Sequence, residues 1–226
     1  MARVLIGYSA CPLTRAAFEA QGHEVWTCDL LPARDDSPNH MQCDIWLALD
    51  NCGPWDMAVL HPMCTYLTCS AAWAFTDGPY HQKLKHGTLV GAERRAARDD
   101  ALENFRRLLA LPFPVAIENP ATSFINKAIR PPDQVIQPWM FGDDASKATG
   151  LWLTGGLPEL EHFAKDACEP RIVDGKKRWA NQTDSGQNRL SPSANRWLER
   201  SKTYPGIAAA MGDQWGRWLN EQEQAE

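Results

Sequence analysis

The sequence predicts an α/β protein, an open sheet with helices on both faces. Three observations carry that expectation. Residues 2 to 8, ARVLIGY, form a continuous apolar run, the pattern of a strand buried on both sides. A strand-turn-helix-strand unit fills the first thirty or so residues. Two more apolar runs, at 57–60 and 115–117, break soon afterwards at prolines and deliver Cys64 and Glu118 just past or at their ends. Open α/β sheets place ligands and reacting groups outside the carboxyl ends of their strands.

The elements follow in order. After the first strand, a turn from Gly7 to Pro12 leads into LTRAAFEAQG. Its spacing predicts a helix with Leu13, Ala16, Ala17 and Ala20 on the inner stripe and Gly22 as its C-cap. EVWTCDLLP is the second strand and ends in Asp29. Residues 33 to 41 read as a polar loop, and MQCDIWLAL as a short helix carrying Asp44. WDMAVLHP is the next strand. The stretch from Thr68 to Gly91 is long and irregular, holds His81, Lys83, Lys85 and His86, and reads as a lid over Cys64. GAERRAARDDALENFRRLLAL, residues 91 to 111, is the clearest helix. Its apolar face is Ala97, Ala101, Leu102, Phe105, Leu108 and Leu109, with the arginines on a solvated face. PVAIENP is a strand and FINKAI a short helix. DQVIQPWMFG and KATGLWLTG are the last strand-like stretches, with Lys147 opening the second. Residues 155 to 201 turn polar and predict a small lobe with little regular structure. An amphipathic helix over 204–222 closes the chain.

Composition bounds the function. The 226 residues are 44% hydrophobic and 23% charged, as in a soluble globular protein with a sizeable core. No apolar run reaches the ~20 residues of a membrane span, and the N-terminus enters a strand without a signal-peptide layout, so a cytoplasmic protein is expected. Seven scattered cysteines are not a disulfide framework. The net charge of −5 argues against non-specific nucleic-acid binding, yet residues 165 to 202 carry nine Lys/Arg against five Asp/Glu. That stretch is either a basic lobe that contacts phosphates or a solvated loop region.

The residue types then narrow the chemistry. His61-x2-Cys64-x4-Cys69 superficially suggests zinc but lacks the second ligand pair of a structural site. A G-x-S-x-G nucleophile elbow is missing. A thiol on one strand end and a carboxyl on the next make a nucleophile and acid pair if the strands are neighbours. Thiolate addition at C6 of a pyrimidine makes C5 able to attack an electrophile. An acid of raised pKa against N3 would absorb the developing charge, and a cation at O2 would assist. Cys64, Glu118 and Lys147 supply those three parts. Cys64 alone reads equally well as a small buried hydrophobe.

The order of these motifs resembles that of the cytosine-C5 DNA methyltransferases, and most closely their short phage-borne members. GYSACPLTRAAFEAQGHEVWTCDLLP is similar to their first cofactor loop, helix and ribose-binding acid. VLHPMC resembles the Pro-Cys motif, AIENP the Glu-Asn motif, and FGDDASKATGLWL the later motif whose basic residue meets the cytosine O2. RLSP at 189 to 192 resembles the motif supporting the target-recognition region. The resemblance implies a Rossmann-like, S-adenosylmethionine-dependent methyltransferase fold with a mostly parallel sheet and a small C-terminal lobe. It implies a catalytic core over 1–155, a reduced recognition lobe over 156–202, and a C-terminal helix, 203–226, packing back on the core. It makes Cys64 the nucleophile, Glu118 the N3 partner, Asn119 its support and Lys147 the O2 contact. S-adenosylmethionine would be held by Gly7, Tyr8, Ser9, Asp29, Leu30, Asp44 and Pro62, and the partner would be cytosine-containing DNA. The sequence departs from the family pattern in places. The first loop reads Gly7-Tyr8-Ser9-Ala10-Cys11 rather than glycine-rich, Met63 stands where a second proline is usual, and Pro120 follows Glu118-Asn119. These departures keep two alternatives open: C5 modification of a free pyrimidine nucleotide, and a non-catalytic DNA- or protein-binding relative.

Overall fold

The structure is a computed structural model that describes residues 1–81, 84, 86–162, 168–191, 193 and 202–225. Its centre is a seven-stranded sheet: β1 (Arg3–Gly7), β2 (Glu24–Asp29), β3 (His40–Gln42), β4 (Met57–Leu60), β5 (Val115–Pro120), β6 (Gln134–Ile136) and β7 (Thr149–Leu153). The strand order is β3-β2-β1-β4-β5-β7-β6. β3, β2, β1, β4 and β5 run parallel, and β7 pairs antiparallel with both β5 and β6. The fold is therefore α/β with a mostly parallel, Rossmann-like sheet.

The continuous apolar runs are explained by the two layers they separate. Val4, Ile6, Met57, Val59 and Ala116 face one core, with Phe18, Met211 and Trp215. Leu5, Ala58, Leu60, Val115 and Ile117 face the other, with Ile45, Leu102, Phe105 and Trp152. The first layer is covered by α1 (Pro12–Glu19) and by α5 (Pro205–Ala210), which runs through one π turn, Met211–Trp215, into α6 (Gly216–Ala225). The second is covered by α2 (Ile45–Asn51) and α3 (Gly91–Leu109). A short helix α4 (Ile125–Ala128) follows β5. The chain winds outward from β1 to β3 and then restarts at β4 on the other side, which puts the topological switch point, where open sheets take their ligands, beyond the carboxyl ends of β1 and β4.

Several local expectations are corrected. α1 turns Thr14, Arg15 and Phe18 inward while Leu13 and Ala20 stay exposed. Phe18 is the one large apolar residue of that helix that reaches the sheet, and Arg15 is held by Asp35 and Glu19. Residues 40 to 42 are an edge strand rather than loop, because His40 pairs with Thr27 through the backbone and through a 2.8 Å ring-hydroxyl contact. Of DQVIQPWMFG, three residues are strand; Pro138 then starts a 3-10 turn that ends at Gly142 in the left-handed region. The lobe contains an antiparallel hairpin, β8 (Arg171–Val173) and β9 (Lys176–Arg178), turned by Asp174 and Gly175, both at positive φ. Lys83, Lys85 and Pro192 lie outside the described residues, as does much of the lobe. Leu157 and Leu160, near the start of the lobe, pack into the core, where Trp215 donates to the Pro158 carbonyl. The C-terminal helical segment lies against α1 so closely that a Cβ on Gly212 would stand 2.4 Å from that of Ala17.

Candidate active site

The ends of β4 and β5 meet because the two strands are neighbours, with Leu60 opposite Ile117. The next residue on each strand is His61 and Glu118. Their side chains touch: His61 Nδ1 lies 2.6 Å from Glu118 Oε2. From the antiparallel side, Lys147 precedes β7 and brings its Nζ to 3.5 Å from Glu118 Oε1. Its backbone is fixed there, since the Lys147 N–H donates to Gln137 Oε1 at 2.9 Å. Burial by itself would push the Glu118 carboxyl up. The Lys147 charge and the His61 hydrogen bond outweigh that and hold it well below the usual carboxylate range. The expected acid of raised pKa is therefore not what the protein alone presents; its two cationic-type neighbours are the reason.

Cys64 is exposed, three residues beyond His61. It sits in a turn whose main chain is held at several points. The Cys64 carbonyl accepts from the Leu67 and Thr68 N–H groups at 3.0 and 2.9 Å. Buried Asn119 donates from Nδ2 to the Pro62 carbonyl at 2.9 Å, so the residue after Glu118 ties β5 to the segment carrying Cys64. Phe124 N–H donates to the Leu67 carbonyl at 2.8 Å. Arg94 of α3 donates to the Thr65 and Leu89 carbonyls at 3.1 and 3.3 Å while stacking on Tyr66 and Phe75. Arg94 is only 5% exposed, against the expectation of a solvated arginine face. It joins both ends of the 68–91 stretch to the helix beyond it, and part of that stretch, Cys69–Phe75, is a 3-10 segment.

The residues expected to hold a cofactor follow the carboxyl ends of β1, β2, β3 and β4. Gly7 is needed for packing, because a Cβ there would meet Leu60 and Ile45 side-chain carbons at 2.5 and 2.6 Å. Tyr8 sits at φ 57, a left-handed conformation uncommon outside glycine, and its hydroxyl accepts from Asn104 Nδ2 at 3.0 Å. Burial pushes the Tyr8 phenol up to about 12, so it stays neutral. Ser9 is buried and its N–H donates to the Cys28 carbonyl. Asp29 accepts from the Leu31 N–H through Oδ1 at 2.9 Å; among the described residues Oδ2 makes no hydrogen bond, as a ribose-binding acid requires. Leu30 beside it is 71% exposed, an apolar side chain just beyond β2. Asp44 caps α2, accepting from the Trp46 N–H at 2.9 Å. Pro62 is buried under the Cys64 turn. This set fits a nucleoside-bearing ligand at Asp29 and Leu30, with the β1 turn alongside.

His61 and Arg94 are the residues that sequence reasoning missed. His61 was readable only as a zinc ligand, although its place one residue past a buried strand, in register with Glu118, was the available signal. Compared with known proteins, the chain matches no family model and no curated protein.

Proposed function

We propose that this protein is an S-adenosylmethionine-dependent methyltransferase that modifies C5 of cytosine in DNA through a covalent Cys64 adduct at C6. The observation that carries the reading is Glu118, gripped by Lys147 on the strand end next to the exposed Cys64. Cys64 gives its thiolate to C6, Glu118 bonds N3, Lys147 lies where a cation can meet O2, and Asn119 keeps the Cys64 segment in place through Pro62. Asp29 and Leu30 would hold the adenosine of the cofactor, whose bound sulfonium supplies an electrophilic methyl group. A base stacked in a duplex is out of reach of Cys64, so the target cytosine must be flipped out. The basic hairpin β8–β9 is the phosphate contact in this reading.

A second reading keeps the chemistry and takes a free pyrimidine nucleotide. The acidic pI near 5.7 favours it, as does the pairing of lobe Arg171 with Asp184, which leaves less positive charge for phosphates.

The test is transfer of a labelled methyl group from S-adenosylmethionine to cytosine-containing DNA and to dCMP in parallel. Label in DNA is expected, Cys64→Ser abolishing it and Glu118→Gln cutting it by a factor on the order of 10² or more. Label in dCMP alone moves the enzyme to nucleotide metabolism. Near-normal turnover in either mutant sinks the mechanism, and label in neither substrate sinks the function.

A further inference from the structure

Glu118 poses a problem for the chemistry just described. N3 of cytosine gains a proton as the thiolate adds to C6, yet the surroundings of Glu118 keep its carboxyl ionised. The proton has to come from a neighbour. Lys147 is one candidate, at 3.5 Å from Oε1. His61 is closer, at 2.6 Å from Oε2, and a carboxylate oxygen only accepts, so the ring's Nδ1 must carry the hydrogen between them. The other ring nitrogen, Nε2, is buried and has no hydrogen-bond partner within the described residues. Among the described residues, no hydrogen bond therefore depends on whether Nε2 carries a hydrogen. The His61 backbone is anchored independently, its N–H donating to the Gly7 carbonyl at 3.0 Å, so the ring's position does not depend on its charge.

We propose that His61 is the proton store for Glu118, a relay from imidazolium to carboxylate to N3; it rests on the cytosine reading above. The step balances as follows. The Cys64 sulfur gives an electron pair to C6, and the C5–C6 π pair shifts to C4–C5 while the C4–N3 π pair settles on N3. N3 takes a proton from Glu118, and Glu118 takes the Nδ1 proton of His61. One proton has moved from imidazolium to the base, and the imidazole is left neutral. After C5 has taken the methyl group, solvent takes the C5 proton, the C5–H pair becomes the C5–C6 π bond as the thiolate leaves C6, and N3 returns its proton along the same path. The titratable groups at the surrounding strand ends are Glu118, Lys147, Cys64 and Tyr8, and Tyr8 is kept neutral by its burial.

His61→Asn tests this. An asparagine amide can still donate to Glu118 but cannot deliver a proton. With His61→Asn folded at the wild-type melting temperature, methyl transfer is expected to drop by about 10²-fold, with the KM for S-adenosylmethionine unchanged. A variant that keeps the wild-type turnover overturns the relay. The same question is asked of the ligand-free protein by nitrogen-15 NMR of the histidine rings. Nδ1 of His61 is expected to carry its hydrogen, with a proton resonance that moves in Glu118→Gln. An Nδ1 without hydrogen overturns the relay whatever the protein methylates. If the wild type transfers no methyl group, the cytosine reading fails and the relay to N3 fails with it, while the NMR result still decides whether His61 donates to Glu118.

Discussion

The carboxyl edge of the sheet and the small lobe both carry arginines, lysines and acids, but they use them in opposite ways. At the sheet edge, Glu118, His61, Lys147 and Arg94 are largely withdrawn from water, and each is met from a different element. In the lobe, Arg171 and Asp184 pair in the open, with side-chain exposures of 45% and 70%. A buried charge without its partner costs several kcal/mol, whereas an exposed pair is worth about 0–1 kcal/mol. Charge therefore fixes geometry against withdrawn partners at the sheet edge, whereas in the lobe Arg171, Arg178 and Arg189 hold main-chain carbonyls in the open, at smaller cost if lost.

Substitutions should separate the two regions in that order. Arg94→Met keeps the stem and removes the donors, so the Thr65 and Leu89 carbonyls lose their partner. Roughly 2 kcal/mol of stability should go, read as a melting temperature lower by about 4–8 °C, together with most of the turnover. An unchanged melting temperature would mean that the Cys64 turn is held by its other bonds. Lys147→Met acts on Glu118. A carboxyl held below its ordinary value contributes stability that is present above the ordinary glutamate range and is lost as pH falls through the lowered value. Without Lys147 the lowering shrinks, so urea unfolding should show the variant weaker at pH 7 and equal to wild type in strong acid. A deficit that persists in acid would assign Lys147 a packing role instead. The smallest effect is expected from Arg171→Ala in the lobe: under about 1 kcal/mol, fading in salt, with DNA affinity reduced at low salt and turnover on a short substrate intact.

What could be read in advance follows the same divide. β1, β4 and β5 announced themselves as apolar runs, because strands covered on both faces bury nearly every residue. The positions of Cys64 and Glu118 followed from those strands ending at prolines. β3, β8 and β9 are three residues each; β3 and β9 are mostly polar, and the Ile172-Val173 pair of β8 is too short a run to mark a strand. The Asp174-Gly175 pair was the one usable sign of the hairpin. Arg94 was misread because helical periodicity counts an arginine as solvated, while here aromatic rings on both sides give it a place inside. His61 needed the register of β4 against β5, and a single strand cannot state its partner's register.

The grip on the Cys64 turn has a consequence for how freely this part of the chain can change. Arg94, Asn119 and the Phe124 N–H all take hold of carbonyl oxygens, at Thr65, Leu89, Pro62 and Leu67. Carbonyls are the same whatever side chain hangs from them. Met63, Thr65 and Ser70 are exposed, so a library randomised at those three positions should return mostly folded proteins. The turn is thus a mount whose exposed side chains can be exchanged without rebuilding the main-chain frame that positions Cys64.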